Sequence, residues 1–315
     1  MGAYDLVEHA ALLKTKDTLD VIEELRSNIR SLAFGSESKE LLRAPKDVGR
    51  GSRADIVVVT ALADPEGRQL REAFADAVGG WIQEFIDGVP YYTGQGTFGT
   101  AKLTIAVASQ SRMGMVDAAL LSAKAIREWQ PVYLVMTGLC AGIQGRVNLG
   151  DIVIADEVFD YGSGKIINKR LHPEFHFVPM HTALRAFLTD FAGKTEVLQG
   201  VRSKWKTKGG CPDTVLRAHI GPMGSGAAVV ASKSTVQGIV EHKGKLLGVD
   251  MEAYGVAQAA SHMLDGRTRF IICKSVSDFA DKDKGDDYQD YCALVSAYFM
   301  REFFSRYEKH LFGLG

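Results

Sequence analysis

Apolar side chains recur along this chain in two rhythms, and the change between them falls near residue 54. Before it, Leu19, Val21, Ile22, Leu25, Ile29 and Leu32 stand at helical spacing between charged positions. That spacing predicts an amphipathic helix over about 17–34. The stretch 35–53 is rich in Gly, Ser and charge and contains Pro45, as a linker would be. Residues 1–53 thus read as a helical N-terminal extension with a linker. Such a piece is too small to bury a core of its own, so it is expected to pack on the main domain or on another chain.

From Ala54 the rhythm becomes that of an α/β domain running to 315. DIVVVTAL (55–62) is β-branched and almost wholly apolar, as in a strand buried on both faces. A helix is predicted at about 66–78. A strand pair follows near 89–108, with a Gly-rich turn (Gly94, Gly96, Gly99) between YYT and KLTIAVA. MVDAALLSAKAIREW (115–129) reads as a helix stopped by Pro131. Further strands are expected at 132–138, 151–161 and 269–281, a strand end running into a helix at 246–264, and a closing amphipathic helix at 288–311. Strands alternating with helices argue for a single mixed, largely parallel central sheet flanked by helices.

In such sheets ligands sit beyond the carboxyl ends of the strands. The polar residues just after each buried run are therefore the candidates. TALADPEGRQL places Glu66 at the start of the helix after the first strand. GLCAGI (138–143) follows the 132–138 strand as a small-residue loop that lets backbone approach a ligand. Asp250, Met251 and Glu252 precede the next helix, and Ser277 and Asp278 follow the 269–276 strand in a polar turn. Each also has an ordinary structural explanation. Glu66 and Glu252 could be first-turn acids favoured by the helix dipole, Ser277 and Asp278 could be turn chemistry, and GLCAGI could be close packing. Three carboxylates arriving at one rim of the sheet is the more specific observation.

Composition narrows the partners. With 37 basic and 38 acidic residues there is no charge to draw nucleic acid or an anionic membrane. Cys140, Cys211, Cys273 and Cys292 form no CxxC pair and no Cys/His cluster at metal spacing, so no metal is expected; no cofactor is expected either. They read as small buried hydrophobes of a reducing compartment. No apolar run approaches the ~18–20 residues that cross a bilayer. The stretch MGAYDLVEHAALLKTKD has no apolar signal core, so a cytoplasmic chain is the expectation.

Taken together, these motifs resemble the nucleoside phosphorylase/nucleosidase superfamily, particularly methylthioadenosine/S-adenosylhomocysteine nucleosidases, over about residues 54–310. The family's catalytic Glu matches Glu66, registered on Leu70–Arg71. Its Gly-Ser-Ala-Gly loop and the strand after it look like GLCAGI and GDIVIADE (150–157), bringing Cys140, Ala141 and Gly142 to the substrate. Its ribose-binding Met-Glu pair matches Met251–Glu252, and its Ser-Asp-x-Ala-Asp motif matches Ser277–Asp278 in SDFAD. The resemblance implies that Asp278 protonates the departing purine at N7 and Glu66 activates water. Glu252 would hold the ribose hydroxyls, with Met251 beneath the sugar. It also implies a purine substrate, with adenine the first choice, and a homo-oligomer.

Three departures matter. No Arg precedes the GLCAGI loop and Cys140 replaces Ser, which favours water over phosphate as nucleophile. Arg112, whose guanidinium can bind phosphate bidentately, remains a candidate phosphate ligand, as does Lys274. In SGAAVVA, Val229, followed by Val230, stands where the family stacks a Phe on the base. Finally, VRSKWKTKGGCPD (201–213) gathers Arg202, Lys204, Lys206 and Lys208 around Trp205. It is either a solvated surface loop or a phosphate-binding lid for a nucleotide such as ATP. The C-terminal stretch looks like nucleosidase domains fused to immune-type signalling modules, which deplete nucleotides. The N-terminal helix would then be a regulatory or assembly element, unless it simply packs on its own domain. Two competing readings stay open, a phosphorylase of the same fold and a catalytically silent nucleoside-binding module. The presence of all three carboxylates argues against the silent one.

Overall fold

The computed structural model describes residues 54–167, 170–227, 238–241, 243–280 and 286–313. The expected helix and linker of 1–53, and Val229 and Val230, lie outside the described residues. The description concerns the compact unit Pro45–Glu308.

One ten-stranded mixed sheet organises this unit. Its parallel centre is formed by β1 (Ile56–Thr60), β4 (Ala101–Ser109), β5 (Tyr133–Gly142) and β12 (Arg269–Asp278), in the order β4-β1-β5-β12. Every residue of β1 is buried, as the unbroken apolar run requires for a strand covered on both faces. Beyond β12 the order continues through β6 (Ile152–Asp160), β10 (Ala218–Ser225) and β11 (Gly248–Asp250). β11 also pairs antiparallel with β5, so this half of the sheet closes on itself. The expected central sheet is therefore present, with a closed half that strand spacing alone does not reveal.

The helix at Met115–Trp129 (α2) has the predicted limits. Gln130 takes a left-handed conformation and donates its N–H to Ile126 O, and Pro131 follows. The helix Arg68–Val78 (α1) starts two residues later than expected, because Ala63–Gly67 forms a wider turn that holds Glu66. Gly94 and Gly96 belong to β3 (Val89–Phe98) rather than to a turn; only Gly99 turns the chain. α1 lies so close that a Cβ on Gly96 would come 2.8 Å from Ala77 O, and one on Gly94 2.2 Å from Val78 Cγ1. GLCAGI is likewise no free loop. Leu139–Gly142 continue β5, with Leu139 to Ala141 paired on β12.

Some elements carried no sequence signal. β2 (Ile82–Ile86) is an exposed edge strand, although Asp87–Gly88, both at positive φ, mark its hairpin with β3. β10 reads AHIGPMGS, whose glycines and proline break any apolar run. Gly221 packs on Leu247, and Gly224 on Phe159 and Tyr161.

Candidate active site

The carboxyl ends of β1, β5, β11 and β12 open onto one cavity of about 250 Å³. Glu66, Cys140, Ala141, Met251, Glu252, Ser277 and Asp278 all line it, so seven expected site residues meet in one place. Gly142 does not line it. Its Cβ position is taken by Val147 and Val276, which makes it a packing glycine.

Glu66 is buried, and backbone fixes both of its oxygens. Oε2 accepts the N–H of Leu62 and Oε1 that of Leu139, each at 2.9 Å. Gly138, at φ +141°, lies against the same carboxylate: a Cβ there would sit 2.1 Å from Oε1. The chain therefore needs glycine at 138 for two reasons, its backbone conformation and the carboxylate beside it. Burial is the largest influence on Glu66 and pushes its carboxyl above the ordinary glutamate value. The charge of Lys274 and the two backbone donors oppose this, and Glu252 adds to it.

A buried ionic network joins the cavity-lining Asp250 and Glu252. Lys274, fully buried on β12, lies 2.6 Å from Asp250 Oδ2 and 3.1 Å from Glu252 Oε2. Burial opposes its charge, but Asp250, Glu252 and Glu66 together outweigh that and hold the ammonium above its ordinary range. This corrects the expectation that Lys274 is a phosphate ligand: its charge is consumed by carboxylates. Glu252 Oε1 also accepts the N–H of Gly114, and its remaining lone pairs are free to accept from a ligand in the cavity. Asp250 accepts Ser225 Oγ–H at 2.6 Å and the N–H of Ala253, while Ser225 Oγ accepts the N–H of Tyr254. Together they cap the helix Ala253–His262 (α5) and so set the position of Glu252 just before it. The sequence places Asp250 beside Met251 and Glu252 but gives it no role of its own. Its place three residues before Ala253 was the available signal.

Asp278 closes β12. Its Oδ1 accepts the N–H of Ala280 at 2.8 Å, and its Oδ2 lies 3.1 Å from Ser277 Oγ. Cys140 is buried, and burial pushes its thiol well above the usual range, so it stays protonated and serves as wall.

The remaining expected phosphate ligands are elsewhere. Lys204 and Lys206 are exposed, and neither they nor Arg202 or Lys208 line the cavity. Trp205 is held by an edge contact with Tyr291 at 5.7 Å and a bond to Gly209 O, and Lys204 sits over the ring of Tyr298. The basic stretch is thus anchored on the helix Gln289–Phe312 (α6) rather than over the substrate cavity. Arg112 is exposed, next to Met113, which lines the cavity.

The profile of the phosphorylase superfamily matches residues 55–302. A Sinorhizobium fredii protein, y4jS, is 33% identical over 300 residues, which is 92% of this chain and 70% of that protein. The death domain-containing ATP nucleosidase of Amphimedon queenslandica is 24% identical over 277 residues, 82% of this chain, and the match spans 48% of that relative's length. Among solved structures, a mutant of the Helicobacter pylori 5'-methylthioadenosine/S-adenosylhomocysteine nucleosidase with 5'-methylthioadenosine in its active site superposes with a TM-score of 0.62. That match covers 80% of this chain and 99% of the other at 18% identity, a likeness of fold. With its α/β domain matched almost end to end, the chain belongs to the phosphorylase superfamily.

Proposed function

We propose that the protein hydrolyses the N-glycosidic bond of an adenine nucleoside or nucleotide and releases the free base. The observation that carries this reading is the convergence of Glu66, Met251–Glu252 and Asp278, from separate strand ends, on one cavity. As the bond to C1′ breaks, positive charge builds on the sugar and negative charge on the purine, as in other glycosyl transfers. Asp278 gives a proton to N7. Glu66 takes one from the attacking water, whose oxygen joins C1′. Buried carboxylates on the sugar side also favour the cationic transition state.

Water is favoured over phosphate by the charge of the wall. Glu66, Asp250, Glu252, Asp278 and Asp286 line the cavity, and among the described residues no Lys or Arg does. Among the described residues, an incoming phosphate would meet carboxylates with no lining cation to offset them. In this reading 54–315 is the catalytic domain, and 1–53 serves assembly or regulation of a homo-oligomeric, nucleotide-depleting effector. The name of the sponge relative supports a nucleotide substrate, and that of the Helicobacter enzyme a thioether nucleoside.

One assay tests this. Adenosine, methylthioadenosine, AMP and ATP are incubated with the protein, with and without phosphate, and free base is followed by chromatography. Base release that does not need phosphate is expected, and strict dependence on phosphate would overturn hydrolysis. The order of the four substrates identifies the 5′ group.

The raised carboxyl of Glu66 gives a pH prediction. A general base works only when ionised, so kcat/KM should fall on the acid side at a pH above the ordinary glutamate value of about 4.3. A rate profile flat down to pH 4.5 would exclude Glu66 as the base. The effect on stability has the opposite sense. Burial favours the neutral carboxyl, so its contribution is complete below the ordinary value and lost as pH rises through the raised one.

A further inference from the structure

Tyr161 follows the end of β6 and lines the cavity, yet nothing in the proposed chemistry uses it. Its ring lies across the end of β10, where Gly224 and Gly226 leave room for it. A Cβ on Gly226 would come 2.0 Å from the ring's Cζ and 2.2 Å from its hydroxyl, and one on Gly224 3.2 Å from Cδ1. Any side chain at 226 would therefore displace the ring. Tyr161 also packs on the apolar cluster that contains Val249, with Ala141 beside it; both of these line the cavity. Ala141 pairs in register with Asp278 on one side and with Val249 on the other.

This places an apolar wall beside Asp278, whereas Glu66 arrives from β1. If Asp278 meets N7, the purine lies on the Asp278 side of the cavity, and the wall it meets there includes the aromatic ring. Burial, with Asp250 and Asp160 adding to it, lifts the phenol to about 12, so the ring is uncharged at neutral pH. An uncharged, seated aromatic face is what a purine stacks on.

We infer that Tyr161 is the residue on which the purine stacks, held against the cavity by the side-chain-free surface of Gly224 and Gly226. The inference rests on the substrate class proposed above and assigns a specificity role to a residue outside the carboxylate machinery. It also accounts for a purine slot in a chain whose SGAAVVA stretch carries no aromatic residue.

The test uses the full-length protein with Tyr161→Phe, Tyr161→Leu, Tyr161→Ala and Gly226→Ala. Two readouts are taken: steady-state constants on the best substrate of the panel, and calorimetric titration with adenine. Base–aromatic stacking corresponds to a loss on the order of 10- to 100-fold when the ring is removed. The Leu and Ala variants should raise both KM and the adenine Kd by about that factor, with kcat changed less than about threefold. Leu retains apolar packing on the cluster, so its loss reports the ring rather than a hole. The Phe variant should stay within about threefold of wild type. Gly226→Ala should imitate the loss, and combined with Tyr161→Ala should add little to it, since both act through one ring.

A Leu variant within about twofold of wild type in KM and Kd overturns the inference. A Phe variant as damaged as Leu also overturns it, because the hydroxyl and not the ring would then be at work. If wild type releases base from no substrate, hydrolysis fails while the adenine titrations still decide the role of Tyr161. If wild type does not bind adenine either, both are overturned.

Discussion

Replacing Asp278 by Asn is expected to lower kcat for base release by about 10²-fold or more, with adenine affinity changed little. The substitution keeps the side chain's shape. Its amide oxygen can still accept the Ala280 N–H that orients the present carboxylate, so the end of β12 should hold its form. What the amide cannot do is donate a proton to N7 and return to charge. The purine would then leave as an anion. A substrate whose leaving group needs no proton separates this from simple disruption: a nitrophenyl riboside should be cleaved by Asp278→Asn at close to the wild-type rate. Near wild-type release of adenine by the variant would refute Asp278 as the acid. Equal losses on both substrates would show a damaged site instead.

Which parts of this site could be read from the chain follows from the range of the signal. Buried strands such as β1 announce themselves because every residue is apolar, and the rule that ligands gather at strand ends then points to Glu66, Met251–Glu252 and Asp278. Their local neighbours along the sequence suffice for that. β10 was silent because its glycines make room for Leu247, Phe159 and Tyr161, residues distant in sequence. Gly94 and Gly96 read as a turn for the same reason, their partner being α1. Lys274 shows the limit most clearly. A lysine inside IICKSVS demands an anion, and a phosphate was the anion suggested by chemistry. The anions present are Asp250 and Glu252, which only the closure of β11 onto β5 and β10 brings within reach.

That network gives the other large expected effect. Replacing Lys274 by Met should destabilise the fold by about 3–5 kcal/mol, the usual cost of leaving buried charge without its partner. Methionine fills much of the same volume, so little of the loss would come from a hole. Asp250 and Glu252, both buried, would then face each other without the ammonium. Lys274 also pulls the Glu66 carboxyl downward against burial, so its removal should carry that carboxyl further up. Any activity left in the folded variant should therefore show an acid limb displaced to higher pH, and so a smaller fraction of working enzyme at neutrality. A purely structural lysine would lower the melting temperature and leave the limb where it was. Lys274→Arg retains the charge and should keep the limb in place even if the larger guanidinium costs stability. Thermal unfolding and the pH dependence of kcat/KM, measured on both variants, separate the two roles. A Met variant with a wild-type melting temperature and an unmoved limb would mean that the carboxylates do not depend on Lys274, and that the basicity of Glu66 is set by its burial and its two backbone donors alone.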